Sequence, residues 1–336
     1  MSTATSIQFN LVSRPQGVPT SDDVVRVEVD LAELADGEVR VANEFLSVDP
    51  YMRGRMNDVR SYIPPFVLGE ALTGAAVGRV VESRSPDFSV GDTVQHQLGW
   101  RDVAQAPASA FRAAPRLPGL PLSVYLGALG ISGITAWVGL TVIAKLREGD
   151  TVFVSGAAGG VGTMVGQIAR LKGASRVIGS AGSPEKVALL TGKYGYDAAF
   201  DYKGGDVRGQ LRDAAPDGID VYFDNVGGEH LEAALEMFND GGRAALCGAI
   251  AAYNSTGDEP GTRFLANIVT RGLTLQGFTM TNYGQYAPQF AADMQSWLAD
   301  GSIVFDETIV SGVDNTFDAF TGMMRGDNVG KMVVAI

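Results

Sequence analysis

Asp150-Thr-Val-Phe-Val-Ser-Gly-Ala-Ala-Gly-Gly-Val-Gly162, continued by Thr163-Met-Val-Gly-Gln-Ile-Ala-Arg-Leu-Lys172, decides how this chain folds. Thr151 to Val154 is a short apolar run with β-branched residues, too brief for a helix, and predicts a buried strand. Val161, Val165, Ile168, Ala169 and Leu171 then recur at helical spacing. Between strand and helix stands Ala157-x-Gly159-x-x-Gly162, a dinucleotide fingerprint with alanine in place of the first glycine; Gly160 and Val161 fill it. Small residues there let backbone pass close to a pyrophosphate, and the helix start aims unpaired N–H groups at it. The bland alternative is a tight βα turn with no ligand.

The size and charge of the chain narrow the rest. Its 336 residues suffice for two domains, and 46% hydrophobic with 19% charged residues is ordinary for a globular protein. A formal net charge of −12, with no lysine and arginine cluster, argues against nucleic acid and against an anionic membrane surface. Cys247 is the single cysteine, and His96 and His230 are the only histidines. No disulfide can form within the chain, which fits a cytoplasmic protein, and a zinc site of about three or four Cys and His ligands cannot be assembled, so no metal is expected. The N-terminus lacks the basic start and apolar run of a signal peptide. Leu117 to Ala144 carries no charge, but Pro118, Pro121 and five glycines interrupt it, so we expect a buried helical hinge rather than a membrane span. Gly130 to Thr135 reads as a turn inside it.

Taken in order, residues 1–124 predict a β-rich domain, with strands at Val24–Val29, Glu38–Phe45, Ala75–Val81 and Thr93–His96 and no helix-length periodic segment. Two proline- and glycine-containing segments in it, Ser47–Arg55 and Ser61–Glu70, read as loops and present Tyr51 and Tyr62. From residue 125 to 300 strands and helices alternate. Six strands, at Thr151–Val154, Arg176–Ala181, Ala198–Phe200, Ile219–Asp224, Gly242–Gly248 and Leu273–Phe278, predict an α/β doubly wound parallel sheet with ligands at its carboxyl ends. Residues 301–336 end in the apolar strand Lys331–Ile336, expected to return to the first domain.

NAD-binding folds carry an acid at the tip of the second strand to hold the ribose hydroxyls. Here that strand ends in Ser180-Ala-Gly182-Ser183, and Lys186 follows on the first turn of the next helix. An ammonium beside helix N-terminal amides suits a phosphate, so NADP(H) is expected over NAD(H).

At this point the chain resembles the zinc-independent medium-chain dehydrogenase/reductases, in particular the prostaglandin reductase, plant double-bond reductase and bacterial curcumin reductase group. The resemblance rests on Val48-Asp-Pro-Tyr-Met-Arg53, Ser61-Tyr-x-Pro-Pro-Phe66, Leu68-Gly-Glu70, Tyr222-Phe-Asp-Asn-Val-Gly-Gly-Glu229, Cys247-Gly-Ala-Ile250 with Tyr253-Asn254, and the closing Gly326-to-Lys331 segment. It implies a Rossmann domain inserted in a GroES-like β-rich domain, a cleft between them, homodimers, and NADPH-dependent reduction of the C=C bond of α,β-unsaturated ketones or aldehydes. It further implies that Gly182 lies in the cofactor site, that Lys186 and Tyr202 hold the extra phosphate, that Asn225 neighbours the ribose or nicotinamide, and that Cys247 lies on the adenine side. Phe278 and Asn328 would lie near the nicotinamide, and Tyr253, Tyr51 and Tyr62 would be the catalytic, substrate-side tyrosines. Zinc-containing relatives have a histidine in a Gly-His-Glu motif; this sequence reads Leu68-Gly69-Glu70.

Hydride addition to the β-carbon of an enone pushes charge onto the carbonyl oxygen, and a phenol, protonated up to a pH of about 10, can donate a hydrogen bond there. Tyr253 or a ribose hydroxyl is expected in that role. Two rivals remain open from sequence: an NADPH-dependent quinone reductase, and an NADPH-binding protein of low turnover.

Overall fold

A computed structural model describes residues 4–257 and 261–336. The chain divides into two compact units, one formed by residues up to Gly127 with Glu307–Asn328 and Met332–Ile336, the other by Ala128–Asp306 with Val329–Lys331.

The first unit opens with β1 (Thr5–Leu11) and β2 (Val24–Asp30), an antiparallel pair, and continues through β3 (Glu38–Ser47), the one-turn helix α1 (Tyr51–Arg55), β4 (Ala76–Ser83), β5 (Thr93–His96), β6 (Val103–Pro107) and β7 (Arg112–Ala113). Phe9, Leu46, Met52, Leu72 and Trp100 form its buried centre. Helix α1 corrects the expectation of a loop at Ser47–Arg55. Pro50, with φ −58° and ψ −33°, already holds helical backbone at the N-cap, and a single turn is too short to show a period.

The second unit begins with α2 (Ile131–Val138), which runs on through a π-turn at Gly139–Ile143. The expected turn at Gly130–Thr135 is therefore mostly helix: Gly133 sits inside it because a Cβ there would stand 1.9 Å from the Ala128 carbonyl oxygen. Then come β8 (Thr151–Val154), α3 (Gly160–Leu171), β9 (Arg176–Ala181), α4 (Pro184–Gly192), β10 (Ala198–Asp201), α5 (Val207–Ala214), β11 (Ile219–Asp224), α6 (Gly228–Met237), β12 (Phe238–Leu246), α7 (Ala266–Thr270), β13 (Thr274–Gly277) and α8 (Ala287–Ala299). The sheet order is β10-β9-β8-β11-β12-β13, every pair parallel. This is the doubly wound arrangement, with the reversal of order beside β8. Phe153, Ile178, Tyr222 and Leu235 pack on one of its faces.

The chain then supplies β14 (Glu307–Ser311), α9 (Thr316–Arg325) and β15 (Lys331–Ala335). In the first unit these extend the larger sheet to the order β14-β15-β3-β4-β5-β7, with β6 also on β3. β15 pairs antiparallel with β3 through Val333 and Ser47, which is the return of the tail anticipated from its apolar run. The sequence also points to 254–262 as a loop that shapes the substrate cleft; residues 258–260 of it, like residues 1–3, lie outside the described residues.

Candidate active site

The glycine loop is where backbone geometry is tightest. Gly162 lies in the first turn of α3, and a Cβ on it would stand 2.5 Å from the Gly156 carbonyl oxygen and 2.6 Å from Ala157 Cα. That spacing lets the helix start press against the loop, and the first N–H groups of α3 have no acceptor within the helix. Gly159 is the N-cap of α3, with φ −81°, and a Cβ there would meet only the Gly156 oxygen, at 3.4 Å. Ala157 is buried and donates its N–H to the Ser180 carbonyl at 2.8 Å, tying the loop to β9. Residues 329–331 lie along the other side: the Gly330 N–H donates to the Ala158 carbonyl at 2.9 Å, and Lys331 Cα is 3.4 Å from a Cβ built on Gly160. Val161 is half-buried.

At the ends of β9 and β10 a second cradle forms. A Cβ on Gly182 would lie 2.9 Å from the Tyr202 hydroxyl and 3.2 Å from Lys203 Cε. Ser183 caps α4, its hydroxyl accepting the Lys186 N–H at 3.3 Å, and Pro184 takes the first helical position. Gly182, Lys186 and Tyr202 are thus gathered where two parallel strands end, with Lys203, a cation the sequence reasoning missed, beside them. Tyr202 packs edge-on to His230 at 5.3 Å. His230 is buried, its Nε2 has no hydrogen-bond partner, and burial lowers its pKa to about 4. His96 is buried as well, between Asn43 and the Leu98 N–H, with its pKa lowered by burial to about 3.

The carboxyl ends of β8, β11 and β12 meet around Asp224, which the sequence reasoning also passed over. Its buried Oδ1 accepts from the Tyr222 hydroxyl at 2.7 Å, the Ser155 hydroxyl at 3.2 Å, and the N–H groups of Val226 and Gly227 at 2.9 and 2.7 Å. Burial outweighs these donors and raises its pKa. Asn225 is fixed in turn: its N–H donates to Ser155 Oγ at 3.0 Å and its Nδ2 to the Ser155 carbonyl at 2.8 Å. The Asp224 carbonyl accepts from Cys247 and Gly248 at 2.9 and 3.0 Å. The signal was available in Tyr222-x-Asp224, a phenol and a second acid on the same face of a buried strand as Asp220.

Tyr253 closes this end of the sheet. Its hydroxyl accepts the Ala249 N–H at 3.4 Å and would lie 3.2 Å from a Cβ on Gly248, a point 3.4 Å from the Asn225 carbonyl oxygen. Burial holds the phenol's pKa above the ordinary value, against the opposing effect of the Ala249 N–H, so it stays protonated and can donate. Burial next to Asp224 also pushes the Cys247 thiol up to about 12, so it stays protonated. Phe278 follows β13, but its ring is spent in packing, edge-on to Phe223 at 6.3 Å and to Tyr283 at 6.2 Å. Asn328 is buried immediately before the 329–331 segment.

Tyr51 and Tyr62 belong to the first unit, where Tyr51 is the first residue of α1 and Tyr62 is 54% exposed. Burial, with the Asp49 charge, raises the Tyr51 pKa against the opposing Arg55 guanidinium. Among the described residues no group of three His, Cys, Asp or Glu side chains could hold a metal ion.

Two family models match: an N-terminal domain of oxidoreductases over residues 7–113, and one described as zinc-binding dehydrogenase over residues 160–297. The NADPH-dependent curcumin reductase of Escherichia coli (strain K12) is 38% identical over 331 residues, covering 97% of this chain and 95% of that protein. The chain belongs to the medium-chain dehydrogenase/reductases. Within this family it is also 37% identical over 326 residues to an NADP(+)-dependent 2-alkenal reductase of Nicotiana tabacum, covering 95% and 94% of the two chains. Among solved structures, CurA of Vibrio vulnificus in complex with NADPH superimposes with a TM-score of 0.93 at 40% identity, covering 99% of each chain. The fold and family expected from sequence are therefore those found, and the second model's description meets, in this medium-chain dehydrogenase/reductase, a set of described residues without a three-ligand cluster.

Proposed function

We propose that this chain is an NADP-dependent oxidoreductase that reduces the C=C bond of α,β-unsaturated ketones and aldehydes. The observation that carries the reading is the Asn225–Gly248–Tyr253 corner at the carboxyl ends of β11 and β12, where burial keeps the Tyr253 phenol protonated. The relatives' activities support it.

The two cradles fit NADPH. The Ala157–Gly162 loop and the start of α3 would hold the pyrophosphate, Gly182, Lys186 and Tyr202 the 2′-phosphate, and Asn225 a ribose or the nicotinamide, with Cys247, Phe278 and Asn328 as further neighbours. When bound, the cofactor supplies the hydride. Tyr253 donates its phenolic hydrogen bond to the substrate's carbonyl oxygen, where negative charge grows as the β-carbon is reduced, and water or a tyrosine then gives the α-carbon its proton to leave the saturated carbonyl compound. Asp224 acts indirectly, holding the Val226 and Gly227 amides, with Ser155 fixing Asn225. Tyr51 and Tyr62 line the substrate side.

NADPH consumption with a straight-chain enone, with a quinone and with no acceptor tests the reading, followed by product analysis. A saturated ketone as product supports it; turnover with the quinone alone overturns it. Tyr253→Phe should slow single-turnover hydride transfer by about ten- to a thousandfold, by comparison with other lost oxyanion donors. An unchanged rate removes Tyr253 from its role.

We also infer a cytoplasmic homodimer. Cys247 is the single cysteine, as suits a reducing compartment, and no described helix is long and apolar enough to cross a membrane. β13 is an edge strand, and Val269 and Leu265 beside it are 84% and 54% exposed, which is the kind of surface a second subunit covers.

A further inference from the structure

Lys145 holds a backbone conformation that residues with side chains rarely adopt. It follows the π-turn at the end of α2 with φ 49°, and the Leu146 N–H just beyond it donates to the Leu140 carbonyl at 2.9 Å, closing the helix end. Glycine is the usual residue there. A left-handed residue with a side chain lowers the folded-to-unfolded ratio roughly five- to thirtyfold, whereas a cation at an exposed helix end returns only about two- to fivefold. The helix terminus alone does not account for this lysine.

The side chain is exposed and makes no ion pair among the described residues. It lines a groove of about 430 Å³ whose other walls come from α2, the end of α3 and the start of α8. These walls are aromatic and fixed. Trp137 is buried, its Nε1 donates to Asp293 Oδ2 at 2.8 Å, and its ring centre lies 6.0 Å from that of Tyr286 at an angle of 42°. Tyr286 stacks in turn on Tyr283 at 6.4 Å. Lys172, at the C-cap of α3, pairs with the same Asp293 oxygen at 2.8 Å, and its Nζ is 5.8 Å from the centre of the Trp137 ring. Asp293 thus balances Lys172. The Thr141 hydroxyl donates to the Trp137 carbonyl at 2.7 Å and Gln289 brings an uncharged amide, so Lys145 gives the described lining an unbalanced positive charge. In a chain of net charge −12, a groove that is aromatic on its walls and positive at one point suits a flat organic anion.

We propose that this groove is a further small-molecule site, one that binds a singly charged aryl carboxylate with its ring against Tyr286 and Trp137 and its carboxylate on the Lys145 ammonium. Every lining residue belongs to the second unit. Lys172 lies at the end of α3 remote from the glycine loop, about 18 Å away along a 12-residue helix. The site is therefore separate from the proposed pyrophosphate cradle and does not depend on which acceptor the enzyme reduces.

The test is isothermal titration calorimetry of the full-length protein with 2-naphthoate, run without and with saturating NADPH. One equivalent should bind in both conditions. The uncharged 2-naphthamide should bind at least about tenfold more weakly, as the loss of one charge-assisted hydrogen bond implies, and decalin-2-carboxylate, which has the charge but no aromatic ring, at least about threefold more weakly. Lys145→Gln should lose about tenfold in affinity for the acid, while Lys145→Arg stays within about threefold of the wild type. Lys145→Gly should melt at or above the wild-type temperature yet lose the same tenfold, a combination that damage to the fold cannot produce. No binding to the wild type, equal affinity for acid and amide, an undiminished affinity in Lys145→Gln, or displacement of the acid by NADPH overturns the proposal.

Discussion

His230 shows what a single buried residue does to the pH response of the protein. Its folded pKa, about 4, lies below the ordinary histidine value of 6.5, so the unfolded chain takes up a proton that the folded chain refuses. The stability from keeping this ring neutral is therefore complete above pH 6.5 and is lost as pH falls toward 4, at about 1.4 kcal/mol per pH unit. His96, lowered to about 3, acts in the same direction. His230→Phe keeps a ring against Phe153 and removes both the titration and the unpartnered Nε2. We expect thermal unfolding curves of variant and wild type to lie close together at pH 7.5 and the variant to be the more stable by about 2 kcal/mol at pH 5; an equal shift at both pH values would refute it. That the chain holds only these two histidines was legible in the sequence. That both are buried was not, because burial of a polar ring depends on the long-range packing of Phe153, Tyr202 and Phe111 around them.

At the scale of the element, the strand–loop–helix unit from β8 to α3 separates two uses of glycine. Gly159 has backbone angles any residue can adopt and room for a methyl group, whereas Gly162 has none. Gly159→Ala should unfold within a few degrees of the wild type yet bind NADPH more weakly, since its methyl group would occupy the approach of the pyrophosphate. Gly162→Ala should lose about 1 to 3 kcal/mol of stability as well as binding, through overpacking against Gly156 and Ala157. Fluorescence titration with NADPH and thermal melts, run on both, check this; equal melting losses would contradict the distinction. This unit was readable in advance because period, length and turn chemistry agreed. α1 was not, since one turn has no period, and neither was the start of β12 at Phe238, hidden behind Asn239-Asp-Gly-Gly242, which reads as a turn. The Asp224 network was half visible: its residues sat in a recognised motif, but convergence of Ser155, Tyr222 and Asp224 needs the parallel register of β8 and β11.

For the whole molecule, the sheet order bears on how assembly and cofactor binding relate. β13 and β10 are opposite edges of the six-stranded sheet. From β13 to β9, which carries Gly182, is four strand spacings, about 19 Å at roughly 4.8 Å each. A subunit interface built on the β13 edge and α7 therefore leaves the proposed 2′-phosphate cradle untouched within each subunit. Val269, 84% exposed on α7, is the position where a charge would oppose such an interface without entering the core. Val269→Glu adds to a net charge of −12, so two copies brought together there would face both desolvation of the carboxylates and mutual repulsion. We expect the wild type to sediment at about twice the 35.3 kDa chain mass, and the variant to shift toward the single-chain mass as it is diluted, while 2′,5′-ADP binding stays within about twofold, as additivity between distant sites implies. A wild type that sediments as a single chain removes the dimer. A variant that remains dimeric moves the interface away from α7, and a parallel loss of nucleotide binding would mean that the two edges of the sheet are coupled.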